Sequence, residues 1–357
     1  MRNSLPVVLC VVAIWSGDAV GATFTIPDSL LPDPLVLIAY GDTRFTQAGE
    51  TTASSPTARR ALVARIAAEN PAAIFINGDL PYRGIPEDYA VYRMETQIWR
   101  DKHLRVYPAL GNHELSACLE ATCLDRWWNA FPELQGRRWY SVAIGSKVIG
   151  IALDSDASLL PRSEQRTWLE TQVRGLDPKV RVVLMVMHHP PVADVQTVKL
   201  VDHNARPNEQ ALAAYLKTAA ARSSARFVVS AGHIHNYERF SQDGVTYLVS
   251  GGGGAIPYEV DRTPSDLYQN TDFPNYHYVR LELRGPILIG EMIRLQDYGA
   301  AGPARWAPKD RFEITMPPGR PGSADSRLPE RRHTAFGFDR ARTAHCRYPR
   351  TPGLGRA

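Results

Sequence analysis

The sequence predicts an α/β protein in which two mixed β-sheets pack face to face with helices on the outside. Short apolar runs alternate with longer segments whose apolar residues recur every three or four positions, and the later part of the chain holds strands with few helices between them. A chain of 357 residues, 44% hydrophobic and 22% charged, is long enough to bury a core between such sheets.

Residues 1–22 carry one arginine, an apolar stretch from Leu5 to Trp15 and small residues ending in Val20, Gly21 and Ala22. The stretch is too short to span a bilayer and predicts a signal peptide, so the chain is expected to be exported, periplasmic or secreted, with no stable membrane span. The body, 23–316, then reads in order. "PLVLIAY", "AAIFIN", "LRVYPAL", "VIGIALD", "VRVVLMVM" and "ARFVVSA" are expected strands, each an apolar run of buried-strand length. Between several of them, "SPTARRALVARIAAEN", "EDYAVYRMETQIWRDK", "SEQRTWLETQVRGL" and "NEQALAAYLKTAAAR" have helical spacing, and only the first is read as carrying a proline suited to a first turn. "VTYLVS", "YVRLELRG" and "PILIGEMIRL" complete the body as strands.

Export permits disulfides, and Cys118 and Cys123 bracket a four-residue loop that favours a local bridge; Cys346 is left odd. The formal net charge is +4, but residues 317–357 hold nine arginines against three acids, so the body is nearly neutral. That Arg/Pro/Gly-rich tail lacks amphipathic periodicity and is expected to be disordered. No nucleic-acid partner is expected.

Five expected strands run directly into metal-capable residues: Gly41-Asp42, Gly78-Asp79 with Tyr82, Gly111-Asn112-His113, His188-His189, and Gly232-His233-Ile234-His235. Ligands bind at the carboxyl ends of strands in α/β sheets because several loops converge there on a rigid base. An extended chain would let His233 and His235 reach one point from the same face. Taken together, "GDLPY", "GNHE", "HHP" and "GHIHNYER" resemble, in order, the signature of the calcineurin-like metallophosphoesterase family, most closely its purple acid phosphatase branch. The resemblance extends from Leu35 to Arg294 and implies an α/β/β/α sandwich with two metal ions. One ion would be held by Asp42, Asp79, Tyr82 and His235, the other by Asp79, Asn112, His188 and His233, with Asp79 bridging.

The donor chemistry suits that division. A phenol with a pKa of about 10 is a poor ligand unless a strongly acidifying cation claims its oxygen, which points to Fe(III) beside Tyr82. Mixed imidazole and oxygen donors suit Zn, Fe(II) or Mn at the other position. His189 then supports the site or packs beside it. The resemblance implies that His113 is the proton donor or a phosphate contact. Arg44 departs from the family pattern and cannot ligate a cation; it either forks onto a phosphate oxygen or forms a surface salt bridge. His203 is a further candidate for reaching substrate. "SGGGGAIP" lacks the residues of a phosphate loop and is expected to let backbone pass close to the metal loops. The residues around Asp154 read as a turn.

These readings predict a phosphomonoester hydrolase that uses attack by a metal-bound hydroxide. A phosphodiesterase or diphosphate hydrolase is the alternative on the same centre, and a secreted metal- or phosphate-binding protein without turnover is the alternative of another class. Recognition of the leaving group would fall to the loops Ser116 to Arg138 and Asp194 to Pro207.

Overall fold

The structure is a computed structural model that describes residues 22–194, 204–299 and 302–317. The expected leader up to Gly21, His203 and the tail from 318 lie outside the described residues.

The chain opens with strand β1 (Phe24–Ile26) and continues through β2 (Leu35–Tyr40), helix α1 (Pro56–Glu69) and β3 (Ala73–Ile76). Helices α2 (Pro86–Glu95) and α3 (Gln97–Asp101) lead to β4 (Val106–Pro108), and α4 (Glu120–Ala130) leads to β5 (Tyr140–Ile144) and β6 (Val148–Ala152). Then follow α5 (Glu164–Arg174), β7 (Val182–Met187), α6 (Pro207–Arg222) and β8 (Arg226–Ala231). Five strands close the body: β9 (Tyr237–Gln242), β10 (Val245–Ser250), β11 (His277–Arg284), β12 (Ile287–Leu295) and β13 (Trp306–Thr315). One sheet has the order β1-β5-β6-β7-β8-β10-β9 and the other β13-β12-β11-β2-β3-β4, so both are mixed, as expected.

Local chemistry accounts for the helix ends. The Ser55 and Ser163 side chains accept from the Ala58 and Arg166 amides and cap α1 and α5, and Asn70 ends α1 in the left-handed region at φ 49°. The single helix expected over 87–102 is broken at Thr96, whose hydroxyl donates back to the Tyr92 carbonyl at 2.6 Å. Prolines also open α2 and α6, at Pro86 and Pro207, so the expectation of one initiating proline is corrected. Asn208 sits inside α6, and its side chain ties the loop at 155–159 through Leu159 N, Ser155 O and Ala157 O.

All six residues of β7 are buried, which explains its unbroken apolar run: a central parallel strand is covered on both faces. One large core gathers Ile38, Phe75, Val142, Leu184, Val228 and Leu281 from both sheets. A second joins Ile151, Met185 and Val229 to Leu169 of α5 and Leu212 and Leu216 of α6. The strands that the sequence did not reveal are β1, β5, β9 and β13. β13 is an edge strand with an irregular register opposite Met292 and Ile293, next to Pro308, and proline belongs at such edges and bulges. Among the described residues no helix is long and apolar enough to cross a membrane.

His277 gives the fold a pH dependence. It is fully buried at the start of β11, where burial pushes its pKa down to about 4. In the unfolded chain it titrates near about 6.5, so between the two values the unfolded state binds more protons. Its contribution is complete above pH of about 6.5 and falls as the pH drops toward 4, at about 1.4 kcal/mol per unit. The urea midpoint should therefore fall between pH 7 and pH 5, and His277→Gln should flatten that fall; identical profiles would show that His277 is not responsible.

Candidate metal centre

The loops after β2, β3 and β4, adjacent in one sheet, meet the loops after β7 and β8, adjacent in the other. Backbone bonds set the first two side by side: the Asp42, Arg44 and Phe45 amides donate to the Gly78, Asp79 and Leu80 carbonyls at 3.1, 2.9 and 2.7 Å. Asp42, Arg44, Asp79 and His233 all have positive φ, at 59, 45, 53 and 71°. Four non-glycine residues in a sparsely populated region at one place mark a functional site.

Two glycines make room for the aspartates. A Cβ on Gly111 would lie 2.5 Å from Oδ1 of Asp79, and one on Gly232 would lie 2.4 Å from Oδ2 of Asp42. Asp42 and Asp79 are fully buried. Burial, then the neighbouring Asp79, raises the Asp42 pKa well above the usual carboxylate range. Burial also opposes ionisation of Asp79, but the facing His188, His113 and Arg44 hold its carboxyl well below that range.

At His188, Nδ1 lies 3.1 Å from the Asn77 carbonyl, to which it donates, so Nε2 presents its lone pair. Burial pushes the ring down to about 4, which keeps it neutral at pH 7. Around that lone pair stand Oδ1 of Asn112 at 2.9 Å, Nδ1 of His233 at 3.1 Å and Oδ1 of Asp79 at 3.2 Å. The carboxylate and amide oxygens beside that lone pair repel it in a buried place unless a cation lies among them. Asp42, Asp79 and His188 present donor atoms within 4.8 Å of one another, and imidazole, amide and carboxylate donors suit a small divalent cation with bonds of about 2.0–2.2 Å.

The other expected position is built less completely. His235 directs Nδ1 to the Ile256 carbonyl at 2.8 Å and places Nε2 3.5 Å from Oδ1 of Asp42. Oδ2 of Asp79, which would complete this position, is met by Nη2 of Arg44 at 3.2 Å. Arg44 thus forms a salt bridge inward rather than at the surface. Tyr82 stacks on His113 with ring centroids 5.5 Å apart, and its hydroxyl has no hydrogen-bond partner among the described residues. The structure brings Asp42, Asp79, His188, His233 and Asn112 together and holds His235 against Asp42; Tyr82 stands beside them through its ring.

The two histidines of "GHIH" are not on an extended strand. His233 is left-handed, and the Ile234 and Asn236 amides donate to the Gly232 and Ile234 carbonyls in a tight turn. That turn sends one ring to His188 and the other to Asp42. The two rings therefore face different partners, and not the single point that strand alternation predicted.

His113 lies at the edge of the cluster. Its amide donates to Oδ1 of Asp79 at 3.0 Å, Nδ1 donates to the Tyr82 carbonyl, and Nε2 lies 3.8 Å from Oδ2 of Asp79. The side chain is 19% exposed, which leaves it within reach of a bound substrate.

Some supporting residues were not foreseen. Glu114, the last residue of "GNHE", accepts from the Asp79, Leu80 and Gly111 amides at 3.0, 2.8 and 2.8 Å and locks two metal-facing loops together. Burial, then Asp79, pushes its pKa up to about 8 against those donors. Ser155 holds His189 through Oγ to Nδ1 at 2.8 Å, and His188, His189 and His233 present donor atoms within 4.8 Å of one another. Asp154 accepts from the Asp156 and Ala157 amides, a turn as expected. The glycine run also behaves as expected: Gly253 donates to the Gly41 carbonyl at 2.9 Å, and a Cβ on Gly251 would lie 2.9 Å from Oδ2 of Asp42. Cys118 and Cys123 are joined in a disulfide beside these loops.

Two facing mixed sheets with polar loops gathered at their strand ends define an α/β/β/α sandwich of the metallophosphoesterase type. The chain belongs to the calcineurin-like phosphoesterase family, which it matches over residues 38–237 and which uses a dimetal centre. Solved structures with a similar fold include a purple acid phosphatase isolated from yellow lupin (Lupinus luteus) seeds, at 16% identity and TM-score 0.62, covering 79% of this chain and 53% of that one. PhoD is similar at 12% identity and TM-score 0.58, covering 83% and 71%. A dimetal phosphatase from Danio rerio is similar at 14% identity and TM-score 0.53, covering 80% and 100%. The chain spans about half the length of the lupin protein. A search of curated proteins found no match.

Proposed function

We propose that the protein is an exported dimetal phosphatase that hydrolyses phosphomonoesters. The observation that carries this reading is the convergence of Asp79, Asn112 and His233 on the lone pair of a neutral, buried His188. Asp79, Asn112, His188 and His233 would hold one ion, and Asp42, Asp79 and His235 would contribute to the other, with Tyr82 adjacent. Metal ions at such a site supply a nucleophile from water at neutral pH and take up charge on the phosphoryl oxygens. His113, oriented through its Nδ1 by the Tyr82 carbonyl, turns Nε2 toward the site and delivers a proton to the departing oxygen. Glu114 fixes the loops that present Asp79 and Asn112. Export is supported by the character of residues 1–22 and by the Cys118–Cys123 bridge, which belongs in an oxidising compartment.

A substrate panel tests the reaction class. Metal-loaded protein should turn over 4-nitrophenyl phosphate faster than bis(4-nitrophenyl) phosphate or diphosphate. A reversed preference would sink the monoesterase reading and leave a dimetal phosphoesterase acting on diesters or diphosphates.

A further inference from the structure

We propose that Arg44 is an internal cation that competes with a metal ion for Oδ2 of Asp79, so that the Asp42–His235 position binds its metal more weakly than the His188–His233 position. The inference rests on the dimetal reading of the site and deepens it.

Three observations support it. The backbone of Arg44 is fixed opposite Asp79: its amide donates to the Asp79 carbonyl at 2.9 Å, and its own carbonyl accepts from Ser54 Oγ and Arg59 Nη1, both at 3.1 Å. That placement is held at φ 45°, a conformation that costs an arginine and would suit glycine, so the surrounding structure maintains it against local preference. The guanidinium then delivers Nη2 to Oδ2 of Asp79 at 3.2 Å, while its Nε is buried without a hydrogen-bond partner.

The carboxylate of Asp79 is consequently divided. Oδ1 faces His188 and the His113 amide. Oδ2 faces a fixed positive charge that cannot ligate and that repels any ion drawn toward Asp42 and His235. Such a position disfavours a trivalent ion, which the charge repels most, and favours a divalent ion that exchanges readily.

The test is calorimetric titration of the full, chelator-stripped chain with Mn²⁺. The wild type should bind one ion tightly and a second about tenfold or more weakly, the scale of coupling between neighbouring charges. Arg44→Gly removes the charge and suits the positive φ, and Arg44→Met removes the charge at similar reach without adding a ligand. In both variants the second ion should tighten to within about threefold of the first, a gain of about tenfold. Thermal melting identifies a variant that has lost its fold, in which case the other carries the comparison. Equal sites in the wild type, or a second affinity unchanged in the folded variants, would overturn this inference alone. No binding at either position would overturn the proposed function with it.

Discussion

Asp79→Asn is expected to abolish most turnover of a small aryl phosphate and to lower metal occupancy at both positions. Asp79 presents its carboxylate to both sides of the cluster: Oδ1 points to His188 at 3.2 Å, and Oδ2 points toward Arg44 and His113. The amide keeps the shape but removes the charge and replaces one acceptor with a donor, which would confront Nη2 of Arg44 or the Nε2 lone pair of His188. Loss of an outer partner of a metal typically costs roughly 10- to 100-fold in affinity, and loss of a shared ligand should exceed that. Metal analysis of the purified variant beside the wild type checks the claim. Two ions per chain in an inactive variant would contradict the bridging role.

The second large effect concerns His113. If Nε2 delivers the proton to the leaving oxygen, His113→Ala should slow alkyl phosphates far more than 4-nitrophenyl phosphate, whose phenolate leaves with little help. The difference should fall within the roughly 10²- to 10⁴-fold range of general acid catalysis and should appear in kcat. His113 also packs on Tyr82 and bonds its carbonyl, so His113→Gln serves as a structural control with similar reach. Equal losses on both substrates, confined to KM, would make His113 a binding contact.

The site was legible in the sequence wherever an apolar run ends in glycine and a polar residue, because a buried parallel strand leaves only its end loop free to carry chemistry. Gly41-Asp42, Gly78-Asp79, Gly111-Asn112 and Gly232-His233 all follow that rule, and the structure gathers them. What the sequence could not convey was direction. His233 turns left-handed, so a tight turn sends the two histidines to different partners. Arg44 turns inward because its amide is paired with Asp79, a long-range bond with no local signature. Glu114 was quoted within a motif, but its three amide partners lie on two different loops and become visible only in three dimensions. Strand β13 escaped notice because an edge strand needs no apolar run, and its sequence, "WAPKDRFEIT", alternates weakly around a proline.

The central claim is that these five loops form a metal-dependent phosphatase, and the most direct measurement follows bound metal and turnover together. Protein stripped with a chelator and then titrated with Mn²⁺ or Zn²⁺ should regain hydrolysis of 4-nitrophenyl phosphate as the metal-to-chain ratio rises, and His188→Ala should lose both together. Full turnover in protein shown by elemental analysis to contain no metal, or metal-loaded protein inert toward every phosphate ester offered, would contradict the account.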